Sequence, residues 1–216
     1  MAIYQEISEL DHDSIAGGKL TRDRMDGDQY DLAKDHQAFA RRDFLQHLRL
    51  MAEQGTGSDF DCLRRDVISL DSETWVSMMK NLNADIERLM MIEMIRENKQ
   101  TLGDSGLLAW NLLLRVSWCR RAYRAGYLSE DEFWRHVMPV ARLLQKSFDS
   151  WETMGRNYLH GFQYSAPKDF YTTDTGRLRW LIFDRLLRDA DSPWLQLPWD
   201  LDLSPPSAND EIEPID

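Results

Sequence analysis

Trp110-Asn111-Leu112-Leu113-Leu114-Arg115, Ala125-Gly126-Tyr127-Leu128-Ser129-Glu130-Asp131-Glu132-Phe133-Trp134, Phe148-Asp149-Ser150-Trp151-Glu152 and Tyr158-Leu159-His160-Gly161 are four phrases of one stretch, and its reading decides the fold. They spell three helices with start and stop signals. The first spans about 105–124 and is apolar almost all round at its start, which predicts a place at the centre of a bundle. Its end carries Arg115, Arg120, Arg121 and Arg124 with no acid among them. Gly126 stops it, because glycine takes the left-handed C′ conformation cheaply. Ser129 and Glu132 have the spacing of a capping box, and Glu130 and Asp131 complement the positive end of the same helix. Pro139 lies inside that helix and predicts a kink. Asp149 or Ser150 caps the next helix, which runs through Tyr158 and Leu159, with Gly161 at its end.

Helical signals continue on both sides. Phe39, Phe44, Leu45, Leu48 and Met51 recur at three- and four-residue steps over about 36–54, with Gly55 as the stop. A long helix is predicted over 72–98, with Trp75, Met78, Met79, Leu82, Ile86, Leu89, Met90 and Ile95 on one stripe. Ser72 or Asp71 suits its start, and Lys99 or Arg96 its C-terminal dipole. Five of the ten methionines lie here (78, 79, 90, 91 and 94) and read as core filler. Residues 178–187 form another short helical segment. Ser192-Pro193-Trp194 and Leu197-Pro198-Trp199 follow, and they predict an irregular strap that lays two indoles on the bundle. No strand pattern and no internal repeat appears. The fold class is all-α: one bundle of six to seven helices.

The whole fits one domain with tails. Residues 1–35 are polar and Asp-rich, and are expected to be weakly structured. The helical domain is 36–203. Residues 204–216, with Pro205-Pro206 and a run of acids, are expected to be a disordered tail. At 216 residues the chain can bury a sizeable core without staples. Cys62 and Cys119 have neither metal nor disulfide-framework spacing, and Cys119 reads as a buried thiol. There is no run of 18 apolar residues and no charged-then-apolar leader, so a soluble cytoplasmic protein with no membrane partner is expected.

The net charge is −11 and is unevenly placed. Residues 105–165 hold 8 basic and 5 acidic residues, whereas the last 17 residues hold six acids and no base. An acidic chain argues against nucleic-acid binding, which needs Lys and Arg against phosphate. It suits a basic protein partner, although solubility alone also accounts for it.

The opening phrases, with the segment from Asp43 to Phe60 and the two Pro-Trp pairs, resemble the bacterial family called domain of unknown function 1266. The resemblance covers roughly 42–199. It implies an α-helical bacterial protein and no known reaction. Two positions depart from the family pattern. Asn111 stands where the family usually shows Asp after Trp, and Phe162 where it usually shows Arg after Gly. Losing both members of a buried ion pair is tolerable where losing one is not, so the joint change favours a structural role there.

Few residues suggest chemistry. Glu132 and His136 share a helix face but lack the further ligands a metal site needs, and no metal or cofactor is expected. His160, beside Gly161, is read as a favourable charge at a helix C-terminus. Of the eight tryptophans most are expected in the core or strap, and an exposed one would mark an interface. The functional expectation is a noncatalytic protein-binding module, most sharply an immunity protein that neutralises a basic toxin or effector. Its candidate contact residues are Arg115, Arg120, Arg121, Arg124, Glu130 and Asp131. Pairing of the arginines with the acidic first half competes with that use. The alternatives are an enzyme with a site near Arg115, Tyr127, Glu132 and Tyr158, and a regulatory or scaffold protein.

Overall fold

Every regular element in the computed structural model, which describes residues 3, 11–12, 14–54, 58–81 and 85–204, is a helix. In chain order these are α1 (Arg22–His36), α2 (Arg41–Gln54), α3 (Ser58–Ser69), α4 (Ser72–Asn81), α5 (Ile86–Glu97), α6 (Lys99–Leu102) and α7 (Leu108–Arg124). Then come α8 (Glu130–Ser147), α9 (Trp151–Ser165), α10 (Pro167–Thr172), α11 (Asp174–Arg188) and α12 (Pro193–Gln196). No described helix is long and apolar enough to cross a membrane.

α7 is the central helix, as its apolar start predicts. α1, α2, α8 and α9 all pack on it. Three apolar clusters result. One joins Leu113 to Val140, Leu144, Met154, Leu159, Phe183 and Trp194, with Ile3 from the start of the chain. A second joins Leu32, Phe44 and Leu48 to Cys119, Ala122, Phe133 and Val137. A third gathers Phe60, Ile92, Met94, Ile95 and Leu102, with Met78 against it. Met94 is fully buried, in keeping with a core role.

The caps around α7 and α8 follow the sequence. Gly126 has φ +77. Tyr127 N donates to Ala122 O at 2.8 Å and Gly126 N to Tyr123 O at 3.0 Å, a complete Schellman closure of α7. Ser129 Oγ accepts from Glu132 N at 3.3 Å, and Glu132 accepts from Ser129 N at 2.9 Å. Ser150, not Asp149, caps α9 by accepting from Thr153 N. Pro139 sits within an α8 that stays unbroken from Glu130 to Ser147.

The N-terminal region differs from expectation. Residues 22–35, expected to be weakly structured, belong to α1, with Thr21 accepting from Arg24 N at its start. Tertiary contacts, not periodicity, stabilise it: of its side chains only Asp28 and Leu32 are buried. Phe39 is 71% exposed in the link between α1 and α2, not part of a helix stripe. α3 has no counterpart in the sequence reading.

The long helix expected over 72–98 is two helices. Asp71 caps α4 by accepting from Thr74 N at 2.8 Å, and Asp85 starts α5 by accepting from Arg88 N at 3.0 Å. A side chain that satisfies a first-turn amide favours a new start over continuation. Leu82 and Gly55 lie outside the described residues, as does the tail beyond 204.

Gly161 does not end its helix. α9 continues to Ser165, and Gly161 is where α9 meets α7. A Cβ there would stand 2.1 Å from the Cβ of Trp110. The strap is partly helical: Pro193 occupies the first turn of α12, where its missing N–H costs nothing. The rest is pinned by side chains. Trp151 Nε1 donates to Leu197 O at 2.9 Å, Gln145 Nε2 to Trp199 O at 2.7 Å, and Trp199 Nε1 to Phe148 O at 3.0 Å.

Candidate functional site

The arginines that end α7 face inward. Arg124 is 6% exposed and forks onto Asp28 of α1, with Nε–Oδ2 and Nη2–Oδ1 both at 2.6 Å. Arg120, equally buried, donates to the backbone carbonyls of Ile15, Ser14 and Asp11. Arg121 lies 3.6 Å from Asp35, near the end of α1. Gln29 adds a hydrogen bond to Ala125 O at 2.9 Å. Together they clamp Asp11, Ser14, Ile15 and α1 to the central helix. Arg120 and Arg124 therefore present no surface to a partner. Their charge is consumed by the acidic first half of the chain and by exposed carbonyl groups there.

Arg115 is half-buried, with its Nε shielded from solvent and without a hydrogen-bond partner. Its charge is felt by neighbours. Burial first, and Arg115 second, hold the His136 imidazole below its usual range. Burial pushes the Cys119 thiol up to about 12, with Arg115 opposing.

The four residues of the enzymatic alternative are not assembled. Tyr127 donates to Phe39 O at 3.1 Å in the link before α2, and Glu132 pairs with Arg41 at the start of α2. Tyr158 packs on Trp110 at a centroid distance of 5.2 Å, in a different cluster. Glu132 is held down to about 2, chiefly by the Ser129 amide and then by Arg41, so it is a cap and not a proton carrier. Among the described residues no group of three His, Cys, Asp or Glu side chains is placed to hold a metal ion. Among the described residues Glu132 and His136 find no third ligand.

His160 is not at a helix end. It is 5% exposed in the middle of α9, with Nε2 3.5 Å from Thr101 Oγ1. Burial lowers its pKa, so it is a neutral packing group. Two important positions carry no sequence signal. Asn157, 1% exposed, donates to Gly106 O at 2.7 Å and accepts from Ala109 N at 2.9 Å. It caps the start of α7 from a different helix, which no local pattern announces. Asp28 is equally silent, because its partner lies 96 residues away.

Glu130 and Asp131 remain exposed at the start of α8. Beside them Trp134 is 43% exposed, its indole 3.4 Å from Glu130 Oε1. Trp134 opens a groove of about 480 Å³ between α8 and the strap. Val137, Ala141 and Leu144 form one wall, and Trp151, Leu197 and Trp199 the other. Its lining is overwhelmingly apolar.

This helical order, with the Trp110–Gly161 contact and the two Pro-Trp pairs, coincides with a match over residues 35–199 to the family described as "Protein of unknown function (DUF1266)". The chain belongs to the DUF1266 family. The match covers the clamp from Asp35 onward, the groove and the strap. No curated protein and no solved structure matches the chain. Within this DUF1266 domain, Phe162 is 6% exposed and carries the Arg179 guanidinium over its ring at 4.1 Å.

Proposed function

We propose that this DUF1266 domain is a noncatalytic, cytoplasmic protein-binding module, and that its partner presents a basic amphipathic helix. The observation that carries this is the apolar groove along α8, opened by the exposed indole of Trp134. Leu197 and Leu201, each about half exposed, extend the apolar rim. Trp is the residue type most often central to binding energy, and an apolar groove between elements is the usual seat of a helix. Acids stand near its rim: Glu130 beside Trp134, and Asp200 and Asp202 on either side of Leu201, where Arg142 also lies. That arrangement complements a helix with apolar anchors and basic flanks. Gln145, Trp151 and Trp199 hold the strap backbone, so the groove is preformed.

The sharper form of this reading is an immunity protein that neutralises a basic toxin. The net charge of −11 supports it. Co-expression with the product of the adjacent gene, followed by size-exclusion chromatography with light scattering, tests both forms. A stoichiometric complex that the Trp134→Glu, Leu197→Glu double variant loses is the expected result. No complex, or one indifferent to those substitutions, overturns the module. A complex without relief of toxicity sinks only the immunity form.

A further inference from the structure

A second cavity, of about 360 Å³, lies where α1, α7, α9 and α11 converge. Trp110, Trp118, Tyr158 and His36 contribute rings to its lining, and Arg121 and Arg179 contribute guanidinium groups. Its volume falls at the small end of ligand pockets, which run from about 300 to 1,000 Å³. The protein-binding reading makes no use of it.

Arg179 is the informative residue. Its Nε and Nη1 are shielded from solvent and have no hydrogen-bond partner, and it makes no ion pair among the described residues. The Phe162 ring beneath it accommodates the face of the cation. A cation–π contact leaves the in-plane N–H donors unanswered. Nη2, unlike those two, is not shielded and also has no hydrogen-bond partner, so it is the donor that an acceptor in the cavity can reach. Arg124 and Arg120 show the contrast: the first forks onto Asp28, and the second caps three carbonyls.

The charges of the lining set the ligand class. Two guanidiniums face one carboxylate, Asp35, which lies 3.6 Å from Arg121. One positive charge is in surplus, which a monoanion balances. Guanidinium geometry favours a planar carboxylate. The rings favour a flat apolar body: Trp110 and Tyr158 are 5.2 Å apart, and His36 and Trp118 4.4 Å. We propose that this cavity binds a small aromatic monocarboxylate, with its carboxylate on Arg179 and its ring among Trp110, Trp118 and Tyr158.

Isothermal titration of the full chain with indole-3-acetate and with the uncharged indole-3-acetamide tests this. The acid is expected to bind at submillimolar concentration and to raise the Tm. The amide should bind about tenfold or more weaker, the loss of a charge-assisted hydrogen bond. Arg179→Met should remove that preference while leaving the amide unchanged. Ser117→Phe, which fills the cavity from α7, should abolish binding of both. No binding of the acid, equal affinity for acid and amide, or an acid affinity unmoved by either variant overturns the proposal.

Discussion

Gly161 and Trp110 touch backbone to side chain: a Cβ on Gly161 would sit 2.1 Å from the Cβ and 2.3 Å from the Cγ of Trp110. The obstacle is the root of the indole, not its flexible end, so the two helices themselves must separate to admit a methyl. Gly161→Ala gains helix propensity of about 1 kcal/mol but incurs overpacking of about 1–3 kcal/mol or more. Net destabilisation is expected in urea denaturation. Gly27→Ala is the matched control. It lies inside α1 with nothing within 4 Å of the added carbon, and should stabilise by about 0.5–1 kcal/mol. Equal effects of the two substitutions would contradict this packing.

The two cysteines should separate cleanly. Cys62 is exposed and Cys119 is buried, with its thiol pushed up to about 12 by burial. The thiolate is the reactive form. A disulfide reagent should therefore label one thiol rapidly in the native protein and the second only on unfolding. Rapid native labelling of Cys119 would mean that the cluster around Ala122 and Phe133 opens readily.

Stability should fall as pH drops below the ordinary histidine range. His36, His136 and His160 are each held below their usual values, in each case chiefly by burial. The unfolded chain then binds more protons than the folded one below pH about 6.5, and acidification favours unfolding. The effect is absent above that pH. Urea midpoints should decline between pH about 7 and about 5, and His160→Gln should shallow the decline. A flat profile over that window would contradict the burial of these imidazoles.

Legibility in the sequence followed the range of the interaction. The α8 capping box, the Gly126 stop and the apolar girdle of α7 are local, and each stands where the residues put it. The division of 72–98 was also written locally, in Asp85, but a continuous apolar stripe masked it. α1 was missed because its stability lies in Asp28 and Leu32 meeting α7, far along the chain. Gly161 was misread for the same reason: glycine signals both a helix stop and a close crossing, and only the neighbour distinguishes them. Within the candidate site, the run of arginines with no acid beside them in the sequence was visible. Their direction was not, since the acids and carbonyls that receive them lie about one hundred residues away.

The charged end of α7 is a clamp for the N-terminal segment. A double-mutant cycle on Asp28 and Arg124, read as the free energy of urea unfolding, decides whether it holds. Both side chains are nearly buried and doubly hydrogen-bonded. Asp28→Leu or Arg124→Met alone should cost about 3–5 kcal/mol, because each strands the other charge. The double variant should cost much less than the sum. Single losses below about 0.5 kcal/mol that simply add would place the pair at the surface and contradict the clamp.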